Sequence, residues 1–479
     1  MISPVTTADG KGKGAMDSSG KPRCAKTVLL TIMLMLLSHA ANFCAAQDQT
    51  LTLREAIETA LKRNPGLLGA QSELRATEWD VKRSYFDLLP KVDVEFGYSR
   101  MDYQTVRRAN IFVPVGQELV RQFAPEEDPN NIRPNAWRNN FGTRINVVQP
   151  IYNGGADWAG VSLAQAGRNQ KSHSLEEREQ DIIFRVHEAY FNVLQAQEMV
   201  ALMEETVQSS QEHLKTTRKM MELGLRSKAD ELRWDVQLAN DEGNLVTAEN
   251  QLAIAEVALK NIMGVEYSRT YKLQPVDLEP TDTEQSLTAL IDKAMDYHPG
   301  LQAMGSAVDM QKADVRMAWA GFQPKINFVY SYGWERNNTL ALDSFEDWSA
   351  SVSVDVPIFH SLSDYASLKR SKAQLQNVQQ AREDYQRAVT MQLTTAYLNV
   401  KSALKKVHIA DKAVAQAEEN LRIIENKYGV GMASNVEVID VQVAFTGARA
   451  NAINALYDFY IARAELEKSA GIIGTSVSG

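Results

Sequence analysis

The same succession of motifs occurs twice along this chain of 479 residues, and that duplication limits the possible folds more than any other feature. Asn64-Pro65-Gly66-Leu67 and Leu89-Pro90-Lys91-Val92 recur, at one common offset, as His298-Pro299-Gly300-Leu301 and Gln323-Pro324-Lys325-Ile326. A single offset leaves no gap between the two motifs. From Gln149-Pro150-Ile151-Tyr152 onward a shorter offset applies. It aligns that motif with Val356-Pro357-Ile358-Phe359, Ala189-Tyr190-Phe191-Asn192-Val193 with Ala396-Tyr397-Leu398-Asn399-Val400, and Gly224 with Gly431. Each copy reads as a short helix, a second helix, a proline, a strand, a polar loop, a strand, another proline and two very long helices. The copies occupy 47–264 and 285–474, with a linker at 265–284 and a tail at 475–479. Each holds only two stretches of strand character, too few for an independent sheet domain, so the halves share one structure.

Residues 1–46 read as a signal peptide. Lys21, Arg23 and Lys26 precede the apolar run Val28–Leu37, and small residues follow up to Cys44-Ala45-Ala46. That run is too short to span a membrane as a mature helix. Both cysteines, Cys24 and Cys44, fall in this segment, which leaves the mature chain without a disulfide or a thiolate metal site. Asn42-Phe43 ahead of Cys44 lacks the small residues of a lipoprotein cleavage site, which argues against a lipid anchor. The whole chain carries a formal charge of −9 and the signal segment is net basic, so the exported product is more acidic still. Such a chain is poorly suited to nucleic acid. After the signal no run of about 18 apolar residues remains, and a chain of this kind enters a membrane only with strands.

The candidate strands, at about 91–103, 140–149, 325–336 and 346–356, alternate with a period of two. In the first, Val92, Val94, Phe96 and Tyr98 alternate with Asp93, Glu95, Gly97 and Ser99. In the third, Ile326, Phe328, Tyr330, Tyr332 and Trp334 alternate with Asn327, Val329, Ser331, Gly333 and Glu335. The fourth sets Trp348, Ala350, Val352, Val354 and Val356 against serines and Asp355; the second is weaker, with Phe141, Thr143, Ile145 and Val147 on one side. An aromatic-rich apolar face opposite a polar one, in segments of about ten residues, is the pattern of a transmembrane barrel wall. An amphipathic soluble sheet packed on a helix would show a similar alternation.

The helices favour the barrel. Residues 156–222 contain no proline and only Gly160 and Gly167, and 363–428 contain neither proline nor glycine. Each would be about 100 Å long if continuous, in the range of coiled coils rather than globular helices. Ile182, Val186, Ala189 and Val193, and again Val389, Leu393, Ala396 and Val400, form packing stripes at spacings of four, three and four. Pro90, Pro150, Pro324 and Pro357 stand at the joints between strand and helix, where a missing donor ends a helix or a ladder. Four strands cannot close a membrane barrel, and an open edge in lipid leaves backbone groups unsatisfied. Several chains must therefore contribute; two would supply eight strands and three would supply twelve.

Together these elements resemble the TolC-like outer-membrane efflux protein family, from Leu51 to Ile472. The resemblance is carried by the two Asn/His-Pro-Gly-Leu turns, the Pro-Lys starts of strands one and three, Gln149-Pro150-Ile151-Tyr152-Asn153-Gly154-Gly155, and Tyr428-Gly429-Val430-Gly431 with Glu437–Val441. It implies a mixed α and β membrane protein that assembles as a homotrimer. A twelve-stranded transmembrane β-barrel, four strands per chain, would continue into a twelve-helix periplasmic α-barrel of long coiled-coil helices. It also implies a location in the outer membrane of a Gram-negative bacterium, with a large periplasmic portion. The function implied is a passive channel gated at its periplasmic tip, the exit duct of a tripartite efflux pump or type I secretion system. Its partners would be a periplasmic adaptor (membrane fusion) protein, an inner-membrane pump and outer-membrane lipid, with no cofactor.

The turns between the long helices and their returns carry the candidate site. Gly224 and Gly431 stand just past helix ends, Ser227 and Ser434 three residues on, and Asp230 and Glu437 three further, the order of a C-cap followed by a capping box. Caps alone account for these residues. The resemblance adds that Gly224, Ser227, Gly431 and Ser434 form an adaptor-docking tip, and that Asp230 and Tyr428 match positions whose polar links hold a closed channel. Ala433 departs from the family there, standing where a relative can carry a basic gate residue. Glu437 and Asp440, at i and i+3 on one helical face, would place six carboxylates around a threefold axis and favour cations. A solvated charged face is the alternative reading of that pair.

The copies diverge most at Met101–Asn140, where the first is longer. Pro114, Pro125, Pro129 and Pro134 with Asn130-Asn131 and Asn139-Asn140 suit a long extracellular loop. Its Arg107, Arg108, Arg121 and Arg133 read as ordinary solvated charges, with lipopolysaccharide phosphates as the alternative partner. An enzyme is disfavoured: the chain has 7 histidines, no metal-spaced cluster, no nucleophile elbow and no phosphate loop. Gly154-Gly155 reads as a turn into the long helix. A soluble periplasmic coiled-coil adaptor or scaffold would explain the helices and the signal, but not four strands with a continuous apolar face.

Overall fold

The computed structural model describes residues 49–132, 134–276, 279–281, 285–337 and 346–474. The signal segment at 1–46, with Cys24 and Cys44, lies outside the described residues, as do Arg133, part of the linker and the tail at 475–479. In chain order the elements are β1 (Gln49–Leu51), α1 (Leu53–Arg63), α2 (Pro65–Phe86), β2 (Lys91–Arg100), α3 (Tyr103–Ala109), α4 (Val113–Phe123), a 3₁₀ turn (Pro129–Asn131), β3 (Asn139–Asn153), α5 (Ala156–Glu222), α6 (Lys228–Met263), β4 (Tyr271–Leu273), α7 (Leu287–Tyr297), α8 (Pro299–Ala320), β5 (Lys325–Asn337), β6 (Glu346–Asp355), α9 (Ser363–Gly429) and α10 (Asn435–Ser469).

The chain divides into two units. In the smaller, β1 and β4 form a parallel ladder from the Gln49–Tyr271 pair to Leu51–Leu273, and the Gln274 N–H donates to the Leu51 carbonyl at 3.1 Å. The larger unit holds the helices and a four-stranded antiparallel sheet in the order β2-β3-β5-β6.

The Asn/His-Pro-Gly-Leu turns are helix starts. The Asn64 Oδ1 accepts from the Gly66 and Leu67 N–H groups (2.9 and 3.2 Å) and His298 Nδ1 accepts from Gly300 N–H (3.2 Å), with proline at the first helical position, where no donor is needed. The Asn64 amide also donates to the Ile262 carbonyl at 2.9 Å, tying the start of α2 to the end of α6. A Cβ on Gly300 would collide with the Tyr385 hydroxyl, which donates to Glu177 Oε1 at 2.9 Å.

In the sheet, the register places Val92, Val147, Tyr330 and Ala350 in one row across the strands, and Val94, Ile145, Tyr332 and Trp348 in the next. The intervening rows are polar: Asp93, Asn146, Ser331 and Ser349, then Glu95, Arg144, Gly333 and Asp347. Because side chains alternate faces, one face is apolar and the other polar across all four strands. The Ser331 hydroxyl donates to Asn146 Oδ1 (2.6 Å) within a polar row. Gly333 lies so close to the Thr143 carbonyl that a Cβ would collide with it, beside a register shift at Phe141/Thr143. Pro150 does not end its strand. The ladder shifts register between Pro150 and Tyr152 and runs on to Asn153, a bulge at the residue that has no N–H to donate.

Helices α5 and α9 are each 67 residues long, while α6 and α10 have 36 and 35. Helix α5 packs on α2, α6, α8 and α10; α9 packs on α8 and α10. Both apolar stripes are buried, from Ile182 to Val193 and from Val389 to Val400. Along α5 and α10 the packing is stitched by Arg449 to Glu205 (2.6 Å), the Tyr457 hydroxyl to Glu198 (2.7 Å) and Lys468 to Asp181 (2.7 Å). No helix among the described residues is long and apolar enough to cross a membrane.

The stretch read as a loop after Arg100 contains α3 and α4. Asp102 caps α3 by accepting from the Gln104 and Thr105 N–H groups (2.8 and 3.1 Å), and Pro114 falls at the start of α4 rather than breaking it.

Candidate functional site

Both long helices end in the same backbone device. Gly224 (φ +76°) lets its own N–H reach the Met221 carbonyl (2.9 Å) and the Leu225 N–H reach Met220 (2.8 Å). Gly431 (φ +79°) does the same for Tyr428 (3.0 Å), and the Met432 N–H reaches Lys427 (2.8 Å). The return helices then start with capping boxes. The Ser227 Oγ accepts from the Asp230 N–H (3.2 Å) and donates to Asp230 Oδ2 (2.7 Å); the Ser434 Oγ accepts from the Glu437 N–H (3.3 Å) and donates to Glu437 Oε2 (2.8 Å). The Ser227 hydroxyl holds the Asp230 carboxyl below the usual aspartate range, and the Ser434 N–H and hydroxyl hold Glu437 below the usual glutamate range. Both stay ionised at the turn.

Between the two turns lies a small core of Leu214, Trp234, Tyr428, Ala433 and Val438, drawn from all four long helices and the second turn. Tyr428 is only 6% exposed. Its hydroxyl lies 3.4 Å from Thr217 Oγ1, and the Arg226 guanidinium sits over its ring at 4.6 Å. The His213 ring stacks on Trp234 at 4.6 Å with 9° between planes. Burial pushes the His213 pKa down, against the attraction of Glu425 and Glu212. The Asn435 amide, 1% exposed, donates to the Asp230 carbonyl at 3.3 Å and so joins the second turn to the first.

Beside this core, on the first hairpin, Glu231 has a side chain 8% exposed and held by two cations. Arg218 Nε donates to it at 3.1 Å and Lys228 Nζ donates to its other oxygen, while Arg218 Nη2 also reaches Asp235 at 2.8 Å. The Lys228 hydrogen bond, then that of Arg218, holds the Glu231 carboxyl below its ordinary range.

Of the residues singled out in the sequence, Gly224, Ser227, Asp230, Gly431, Ser434 and Glu437 thus sit in the two turns. Asp440 is exposed one turn into α10, and Tyr428 is buried between the hairpins rather than presented to solvent. Pro90 and Pro324 immediately precede β2 and β5, Pro357 follows β6, and Pro150 lies inside β3. Sequence reasoning missed Arg218, Glu231, Trp234, His213 and Asn435, whose contacts join residues far apart in the chain. A signal existed for Asn435, an amide directly after an N-cap serine. Among the described residues no group of three or more His, Cys, Asp or Glu could hold a metal.

The model of the family described as "Outer membrane efflux protein" matches residues 56–265 and 290–472. The outer membrane protein TolC of Vibrio cholerae is 24% identical over 451 residues, covering 92% of this chain and 95% of that protein. The proteases secretion protein PrtF of Dickeya chrysanthemi is 22% identical over 462 residues, covering 94% and 92%. Among solved structures, CusC superposes with a TM-score of 0.74 at 16% identity over 87% of this chain and 91% of that one. The outer membrane protein VceC from Vibrio cholerae does so with 0.72 at 15%, over 88% and 96%. The fold is that of these channels, and the family is one of transport proteins rather than enzymes. The chain therefore belongs to the outer membrane efflux protein family: it is an outer-membrane exit duct for efflux or type I secretion, with a large periplasmic portion.

Proposed function

We propose that three copies of this chain close a twelve-stranded barrel, continued by twelve helices, and that the duct is gated where the long helices turn. The four-stranded sheet carries this reading. It is apolar on one face, and its edge strands β2 and β6 have no outer ladder partner among the described residues. In lipid such edges would be left without hydrogen bonds, and pairing β2 of one copy with β6 of the next satisfies them. Matching lengths of 11 residues in α1 and α7, 22 in α2 and α8, and 67 in α5 and α9 support an internal duplication over 47–264 and 285–474.

In this assembly Gly224, Ser227, Gly431 and Ser434 present the docking tip to a periplasmic adaptor that bridges to an inner-membrane pump. Asp230, Tyr428, Glu437 and Asp440 form the entrance, Tyr428 acting from inside the tip core and the carboxylates from the turns. Pro90, Pro150, Pro324 and Pro357 mark the passage from sheet to helix. Two measurements test the reading. The detergent-purified protein should have the mass of a trimer and be recovered with the outer membrane; a soluble periplasmic monomer would overturn it. In planar bilayers the Glu437→Ala/Asp440→Ala variant should lose cation selectivity, and unchanged selectivity would remove these carboxylates from the entrance.

A further inference from the structure

The insert between β2 and β3 leaves a wide apolar surface uncovered. In α4 the side that faces the rest of the insert carries Val113, Gly116, Gln117 and Val120, all half-buried: the Gln117 amide donates to the Ile132 carbonyl at 3.0 Å, and Gly116 leaves room for the Ile132 side chain, whose Cδ1 would lie 3.0 Å from a Cβ there. The adjoining side carries Val115, Leu119 and Phe123, continued by Phe112 at the N-cap, spaced three, four and four and exposed by 79% (Phe112), 56% (Val115), 51% (Leu119) and 75% (Phe123). Such a stripe on an exported protein needs a cover. Arg100 and Arg138, where the strands end, and Arg107 and Arg108, on α3, are all exposed and make no ion pair among the described residues. Three of the acidic groups have other partners: Asp102 caps α3, Asp128 caps the 3₁₀ turn, and Glu118 pairs with Arg121 at 3.1 Å.

We propose that this insert is a lipid-seated collar, with the α4 stripe in the acyl boundary of the outer leaflet and the arginines on the phosphates of its glycolipid, lipid A. The inference rests on the barrel reading above. In that reading the helices join the sheet at the Lys91 and Asn153 ends, so the Arg100 and Asn139 ends, which bear the insert, face outward. An apolar helical stripe together with exposed cations that make no ion pair is the chemistry of a helix lying in an anionic interface. The charge pattern selects a phosphate-bearing lipid over a second copy of the chain, which would bring the same four arginines against each other.

The test uses the full-length protein with Cys24→Ser and Cys44→Ser, carrying an environment-sensitive fluorophore at Phe123→Cys or, as a wall control, at Phe96→Cys. It is reconstituted in phosphatidylcholine vesicles with or without lipid A, with spin-labelled acyl chains as the membrane quencher and iodide as the aqueous one. Both labels should be quenched by the acyl probes and shielded from iodide, the Phe123 label more strongly when lipid A is present. With about 1 kcal/mol per arginine at an anionic surface, Arg107→Gln/Arg108→Gln should lower the preference of the collar for lipid A about 30-fold. A Phe123 label open to iodide overturns the proposal, and one shielded from both quenchers shows a second copy as the cover and overturns it too. In either case a lipid-quenched Phe96 label leaves the barrel reading standing; a Phe96 label open to iodide brings down both.

Discussion

Two turns feed the two 67-residue helices and reach the same backbone path with different residues. Ahead of α5, Gly154 and Gly155 adopt φ of +63° and +82°; ahead of α9, Ser361 and Leu362 adopt +48° and +64°. The left-handed region costs an L-residue about 1–2 kcal/mol, so the second turn holds strain that the first avoids. It has local support: the Ser363 hydroxyl donates to the His360 carbonyl (2.7 Å), and His360 Nδ1 lies 2.8 Å from Asp364. The first turn has a reason for glycine that the second lacks, since a Cβ on Gly154 would lie 2.5 Å from the Ala320 carbonyl. The tips repeat the lesson. Both use a glycine and a capping box, but the first is backed by the Arg218–Glu231–Lys228 ion network and the second by buried Tyr428 and Asn435. Backbone paths match, while the packing behind them differs.

The strongest way to break this comparison is at the tips. Tyr428→Ala should remove about 3–5 kcal/mol by emptying the core between the hairpins, whereas Met221→Ala, at the matching but half-buried position, should lose less than half as much. Amide hydrogen exchange in the first turns of α6 and α10 reads the difference, and equal protection in both variants would deny Tyr428 its structural role. Next come the feeding turns. Gly154→Ala should lose about 2–4 kcal/mol from strain plus overpacking, Gly155→Ala only about 1–2, and Leu362→Gly should gain up to about 1. Thermal unfolding followed by helical circular dichroism ranks the three.

The caps should instead behave alike. Ser227→Ala and Ser434→Ala should each cost about 1 kcal/mol, measured by exchange at the N-termini of α6 and α10. Asp230 and Glu437 have folded pKa values below their unfolded ones. Their stabilisation is therefore present above the ordinary carboxylate range and is lost as pH falls through the depressed values, so both caps should fray only below about pH 4. The smallest effect sharpens the asymmetry. His213 has a pKa lowered by burial, so the unfolded tip binds a proton more readily, and the tip core should weaken as pH drops below about 6.5. His213→Phe should abolish that mild-acid step in exchange while leaving the cap transition in place.

Much of this architecture was legible because it is written locally. The alternation of Val92, Val94, Phe96 and Tyr98 specifies one apolar face, and Ser227 with Asp230 or Ser434 with Glu437 closes a cap within four residues. What could not be read depends on partners distant in sequence or on a local choice between competing signals. Arg218 meets Glu231 only because the helical hairpin folds back, and Asn435 meets the Asp230 carbonyl across 205 residues. The prolines and asparagines after Arg100 suggested loop throughout. Yet Asp102 caps a helix and Pro114 begins one, and the Phe112-Val115-Leu119-Phe123 spacing was the signal to weigh against them. Tyr428 reads as a gate residue by position, but its burial follows from four helices converging on it.

By itself the sequence determined the order of the elements that the two copies share, the two-sided sheet and the turn chemistry at both tips, because periodicity, proline and glycine act on the backbone over a few residues. Only the tertiary structure decided the strand order β2-β3-β5-β6, the bulge that carries β3 past Pro150, which side of α4 is left uncovered, and the burial of Tyr428 against Trp234 and Thr217. Those outcomes depend on which distant surfaces exclude water together, and local pattern carries no information about that.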